Sequence, residues 1–374
     1  MRDGMAWGKF FPAICMLALG VPAIAQHQPT ITTIDAPNAG KTSSYGTRAN
    51  VINTSGVIAG FYADSTYNAF HSYVRAKDGT ITEFDAPGAG AVGKFPPFPL
   101  SMWNPGTYAI AIDAVGAVAG FYVDSGIVKH GYLRTPDGAF TAIDAPNAGT
   151  AAHQGTNAAN MNVQGTIAGY YIDANNMQHG FVRTRDAAIT EFDVPVAASG
   201  PGLGTTTYWS QCLNEAGAIT GSYFDSNGAA HGYVRNPDGT FSTFDVPGAG
   251  TAGGQGTYSW AINPSGATTG AFYDASGNEH GYLRTSAGEI ITFDVPGAAA
   301  TEPECNDPAG QVAGLYWDAS GARHGFLRAV DGKFTTFDAV PGALTTFPLM
   351  NNPGDTIVGF YIDSGHVWHG FVRK

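Results

Sequence analysis

"HVWHGFVRK", residues 366–374, breaks off inside a phrase that the chain has already used six times. Near-copies of His369-Gly370-Phe371-Val372-Arg373 open at His71, His130, His179, His231, His280 and His324, and each of these runs on into another strand-like stretch. Six or seven residues before each His stands an Asp that ends a Gly-x-Tyr-x-Asp phrase or a close variant: "GFYAD" (60–64), "GFYVD" (120–124), "GYYID" (169–173), "GSYFD" (221–225), "GAFYD" (270–274), "GLYWD" (314–318) and "GFYID" (359–363). A third phrase, [IF]-D-x-P, ends at Pro37, Pro87, Pro146, Pro195, Pro247 and Pro296, and returns as "FDAVP" at Pro341. Three linked phrases recurring every 44 to 60 residues define a repeat array.

Each unit reads as four short strands. The first is of the type "YSWAIN" (258–263), followed by "NPSG", whose Asn, Pro and Gly suit positions i, i+1 and i+3 of a type I turn. "ATTGAFYD" is the second strand and "HGYLR" the third. "TPDG" (135–138) or "NPDG" (236–239) then turns into a fourth strand such as "FSTFDVP", where Pro ends the pairing. The strands are rich in β-branched and aromatic residues, and no stretch carries a helical period. Four-stranded units of this length predict propeller blades. The seventh unit stops before its fourth strand, and an orphan fourth strand, "ITTIDAP" (31–37), stands near the other end. A linear solenoid needs polar caps rather than complementary halves, whereas a ring removes its last sheet edge by joining them. The expected fold is therefore all-β: a seven-bladed β-propeller of four-stranded blades, one domain over residues 26–374, closed by 31–37 pairing with 369–373.

"HGYLRTPDGAFTAIDAP" (130–146) followed by "MNVQGTIAGYY" (161–171) resembles the extracellular HAF-type repeat proteins of bacteria. The resemblance extends over nearly all of residues 26–374. It implies secretion and a repeat array, and it brings no catalytic or binding residues with it.

Residues 1–25 read as a secretory signal: Arg2 and Lys9 flank its start, an apolar run "FFPAICMLALGVPAIA" follows, and Ala23-Ile24-Ala25 is a cleavage signature. A secreted, periplasmic or cell-surface protein is expected, with no membrane insertion after cleavage. The formal charge is −12, which leaves nothing to neutralise phosphates and argues against nucleic acid. Beyond the signal only Cys212 and Cys305 remain; they fall in blades that are not neighbours and are expected to be unbridged thiols. A monomer is expected.

The repeated polar residues read as structure. Asp at the end of the second strand suits capture of loop N–H groups, with the following His pairing to it. The Arg set (Arg75, Arg134, Arg183, Arg235, Arg284, Arg328, Arg373) and the [IF]-D set, Asp35 to Asp338, are expected to form ion pairs between adjacent strands. No metal site and no cofactor is expected, because the unit offers no third ligand at a repeated spacing.

Individuality is expected where the repeat breaks. Both type I turns belong to one face; the Asp-to-His loops and blade connections, including the long "GAGAVGKFPPFPLSMWNPG" (88–106), belong to the other. A ligand site is expected on this loop-bearing face, built from Arg48, Trp103, Tyr108, Trp209, Tyr258 and Trp260, large side chains that suit stacking on sugar rings. The expected role is a binding or scaffold module for a glycan, a cell-envelope component or a protein. The competing expectation is a propeller-type lyase or glycoside hydrolase using Glu302 and Glu304, which as alternate residues of a strand face one way, roughly 7 Å apart.

Overall fold

The computed structural model describes residues 29–66, 69–91, 104–207, 211–352 and 356–374. The signal segment 1–25, Trp103 and Trp209 lie outside the described residues. Its 28 strands sort by antiparallel pairing into seven four-stranded blades. Blade 1 runs Gly46–Ile52, Ile58–Ala63, Phe70–Arg75, Ile81–Phe84, and the same order recurs through blade 6, which ends at Phe337. Blade 7 has Thr345–Asn351, Ile357–Ile362 and Trp368–Arg373, and takes its outer strand, Ile31–Ile34, from the other end of the chain.

That closure is in register: Ile31 stands opposite Arg373 and Ile34 opposite Gly370. Beyond it, Thr30 and Lys374 exchange backbone hydrogen bonds, both 2.9 Å. The ring is continuous, since the inner strand of blade 1 packs on the second and third strands of blade 7. All-β propeller architecture follows.

Three repeated devices hold the blades. The "HG[FY]" aromatic fills each blade centre: Tyr73, Tyr132, Phe181, Tyr233, Tyr282, Phe326 and Phe371 are all fully buried. A Thr at the second position of each inner strand accepts the backbone N–H that ends the previous outer strand: Thr47 from Ala36, Thr107 from Ala86, Thr156 from Ala145, and so on to Thr346 from Ala339, at 2.9–3.0 Å. Asn side chains at the inner-strand ends donate to the next blade's backbone. Asn53 reaches Asp113, Asn162 reaches Asn214, Asn214 reaches Asn263, Asn263 reaches Asp307, and Asn352 reaches Asn53. At Asp113 and Asp307 the same position carries a carboxylate, which has no hydrogen to donate.

The inner strand starts beside the third strand of the preceding blade, parallel to it, as in Gly46 beside Trp368 and Gly106 beside Phe70. The approach is too close for a side chain: at Gly46, whose φ is 131°, a Cβ would collide with the Trp368 carbonyl.

Each repeated His is held between two carboxylates. Nδ1 faces the outer-strand Asp, for example His130 to Asp144 at 3.2 Å, and Nε2 faces the loop Asp, here Asp124 at 3.7 Å. The ring stacks on the second-strand aromatic, Tyr122 in this blade. Loop Asp residues also bind the loop as expected: Asp124 Oδ1 accepts from Gly126 and Val128 N–H. The expected Arg–Asp pairs do not form among the described residues. The [IF]-D carboxylates are engaged by His instead, and five of the seven Arg guanidinium groups lie over Phe rings of the preceding blade, as Arg134 does on Phe84 at 4.5 Å and Arg373 on Phe337 at 4.8 Å. Cys212 and Cys305 are buried free thiols; burial pushes Cys212 up to about 12.

Candidate functional site

Seven inner strands converge on one axis, and the two ends of that axis carry different chemistry. At the end that bears the short turns lies a cavity of about 350 Å³ lined by residues of every blade. Its wall includes Ile52, Ile112, Met161, Leu213, Ile262, Asn306 and Asn351, the seventh position of each inner strand or its equivalent. The rim is formed by the belt of Asn53, Asp113, Asn162, Asn214, Asn263, Asp307 and Asn352, and by turn residues such as Ala114, Val163 and Pro264. The belt is rigid because each side-chain oxygen also caps its own turn; Asn263 Oδ1, for instance, accepts from Ser265 and Ala267 N–H, both 3.0 Å. Among the described residues no Lys, Arg or His lines the cavity; Asp113, Asp307 and Glu215 do.

At the loop-bearing end, three acids meet across the interface of blades 5 and 6. Inner strands carry a one-residue bulge, which in blade 6 falls between Pro303 and Cys305. Glu304 is that bulged residue. A bulge re-aims a side chain, and Glu304 is 3% exposed beside Glu302, with its Oε1 lacking a partner among the described residues. Burial first, then the Glu302 charge, holds the Glu304 carboxyl well above its usual range. Glu302 shifts the same way, chiefly by burial. Glu279, at the start of the adjoining third strand, is pushed up to about 8 by burial and by Glu302, opposed by a Tyr273 hydrogen bond and the Arg323 charge.

The four described residues of the expected ligand site, Arg48, Tyr108, Tyr258 and Trp260, do not gather around an opening. Tyr108 is 1% exposed and stacks on Phe121, with Phe61 and Phe70 against it. Arg48 keeps some surface in solvent, but its guanidinium lies 4.3 Å from the Phe360 ring and 4.1 Å from that of Trp368; burial lowers it to about 10. Trp260 is the bulged residue of blade 5 and is buried. Tyr258, half-buried, packs edge-on to Phe224 and Tyr273. These side chains fill the space between blades, because each follows the glycine-mediated close approach of two strands.

Several residues of the site lay outside the sequence reading. The Asn belt and the seventh-position ring are both visible on aligning the repeats, as a near-constant amide and a position that switches from aliphatic to Asn. Apart from either site, Lys129 is buried between Phe121 and Tyr170, and its ammonium is lowered to about 7 by desolvation. Among the described residues no three His, Cys, Asp or Glu side chains are placed to hold a metal ion.

No protein-family model and no curated protein matches the chain. Solved structures do. Virginiamycin B lyase from Staphylococcus aureus superposes with a TM-score of 0.57 at 16% identity, over 93% of this chain and 100% of that one. The BP39L lectin from Burkholderia pseudomallei gives 0.55 at 12%, over 88% and 96%. The β-propeller domain of the Trilobed protease from Pyrococcus furiosus gives 0.50 at 8%, over 91% and 97%. At these identities the likeness is one of fold.

Proposed function

We propose that this chain is a secreted β-propeller that acts as a binding module, and that its ligand is a glycan or a glycan-bearing component of a cell envelope. One observation carries the reading. The repeated His, Asp, Thr and Asn side chains are engaged in holding the ring, while the axial cavity that the Asn belt rims on the turn-bearing face is lined by residues of all seven blades. Its volume is at the small end of the range for small-molecule sites, roughly 300–1,000 Å³. The site thus moves from the loop-bearing face expected from sequence to the opposite one. A glycan array probed with the purified protein tests this. Binding to a defined set of glycans is expected, and Val163→Trp at the rim is expected to abolish it. An array without hits, or hits indifferent to the rim substitution, would remove the glycan reading.

A second reading, a propeller-type lyase or glycoside hydrolase, draws support from the paired carboxyls at the loop-bearing end. A carboxyl raised to about 8 beside another acid is the arrangement a general acid requires. Incubating any bound glycan with the protein and with Glu279→Gln decides it: turnover lost in the variant supports an enzyme, and no turnover by the wild type rejects it.

A further inference from the structure

The axial cavity offers a ligand two kinds of surface. Its wall is hydrocarbon: Ile52, Ile112, Met161, Leu213 and Ile262 stand on five successive blades, and Met350 of blade 7 continues the arc. The polar groups of the wall are tied to the protein or closed off. Asn160 donates to the Leu213 carbonyl, Gln211 accepts from Asn306 N–H, and Oδ1 of Asn306 and of Asn351 is sealed from solvent. The belt amides are tied as well. Asn53, Asn162, Asn214, Asn263 and Asn352 each donate to the next blade and accept from their own turn.

The mouth offers carboxylate. Asp113, Glu215 and Asp307 follow the inner strands of blades 2, 4 and 6, so they stand at every second blade around the opening. Each commits one oxygen to the protein. Asp113 Oδ1 accepts from Val115 and Ala117 N–H, Glu215 Oε2 from Val163 N–H, and Asp307 Oδ1 from Gln311 N–H. The second oxygen of each takes no donor among the described residues, and among those residues no Lys, Arg or His lines the cavity. Charges of one sign around an opening with apolar walls draw a cation along the axis and repel an anion. The wall beneath them favours a hydrocarbon body in the same ligand.

We propose that the cavity takes a compact apolar group bearing an ammonium, carried as a substituent by the envelope glycan. Its hydrocarbon enters against the Ile112–Met161–Leu213 wall, and its ammonium stays at the mouth in the field of Asp113, Glu215 and Asp307. This rests on the binding reading and names the part of the ligand that the cavity holds.

Calorimetric titration of the purified protein with three probes of one shape tests it: cyclohexylmethylammonium, cyclohexylmethanol and cyclohexanecarboxylate. The ammonium is expected to bind, the alcohol about tenfold more weakly, and the carboxylate more weakly still. Added salt is expected to weaken the ammonium and not the alcohol. The double variant Asp113→Asn, Asp307→Asn keeps the belt and its turns, and is expected to remove most of the difference between ammonium and alcohol. Thermal melts establish that it folds. The ammonium probe is also expected to displace an array hit. An alcohol or carboxylate that binds as tightly as the ammonium overturns the proposal, and so does wild-type ammonium affinity in the folded double variant. If no probe binds, or none displaces a hit that Val163→Trp still blocks, this inference falls and the binding reading stands. If the ammonium binds and the array is empty, the glycan reading falls and the carrier named here falls with it, while the preference of the cavity for a cation stands.

Discussion

Nδ1 of His369 lies 2.9 Å from Oδ1 of Asp35, across 334 positions of the chain. In the other blades the same contact spans 14 positions, as between His130 and Asp144. The junction of the two chain ends thus repeats the chemistry of an uninterrupted blade. Both partners are partly exposed, so the pair alone contributes only about 0–1 kcal/mol. Asp35→Ala is expected to cost no more than Asp144→Ala, within about 1 kcal/mol. Deleting residues 30–34 removes a whole strand and is expected to lower the melting temperature far more and to broaden the transition. Equal melts for the deletion and the wild type would mean that the ring does not depend on this strand.

Protonation is expected to favour the fold across the neutral range. Glu279 is raised from 4.5 to about 8, so the unfolded chain releases its proton before the folded one does, and stability falls as pH climbs through that window. Glu302 and Glu304 shift the same way. His130 and His369 are raised by their hydrogen bonds to Asp144 and Asp35; their contribution is complete below the ordinary 6.5 and is lost as pH rises through the raised value. On the acid side Asp318, held down to about 2 first by the Ser320 hydroxyl, contributes stability that goes as pH falls from 3.8 through about 2. Melting temperature measured from about pH 5 to pH 9 should decline, and Glu279→Gln should flatten the curve. An unchanged slope in that variant would show that Glu279 ionises freely.

The amide belt has two gaps. Asp113→Asn and Asp307→Asn would each supply the missing donor toward the next blade. Each is expected to stabilise by ~0.5–1.5 kcal/mol in denaturant titrations, about the value of one such bond. Asn214→Ala, which removes a donor to Asn263 and an acceptor for Ala218, is expected to cost ~1–3 kcal/mol. If the two Asp variants are destabilised, the carboxylates hold something the belt geometry does not reveal.

Gly46→Ala tests the close approach of neighbouring blades. The added Cβ meets backbone, not a movable side chain, and the backbone sits at a φ of 131°. A loss above ~3 kcal/mol is expected, against about 1 kcal/mol for Gly277→Ala, which shares positive φ but has open space around it. Similar melts for the two variants would place the strain elsewhere.

Much of the fold was legible because repetition reports geometry: seven copies of one phrase need one environment, and the two incomplete ends fit together. The site was less legible for local reasons. Alternation put Glu302 and Glu304 on one face, but the bulge at Glu304 adds a residue and breaks alternation at that point. Size suggested that Arg48 and Tyr108 met solvent, yet each lies beside a glycine contact that draws two blades together and closes over it. The Arg and [IF]-D sets looked complementary by charge. Their actual partners, Phe rings and His, come from packing between blades and from strand register. The cavity is composed of a few residues from every blade, and it shows only when the repeats are superposed on an axis.

The closing strand also sets an order of events. Ile31–Ile34 is the first strand of the fold to be synthesised, and its partner Trp368–Arg373 is the last. Until that partner exists, the first strand is an exposed edge with hydrogen-bonding groups to offer, the kind of edge that invites pairing with another chain. Closure of the ring therefore waits for its longest-range contact, and a chain halted before Trp368 would leave Ile31–Ile34 without its partner strand.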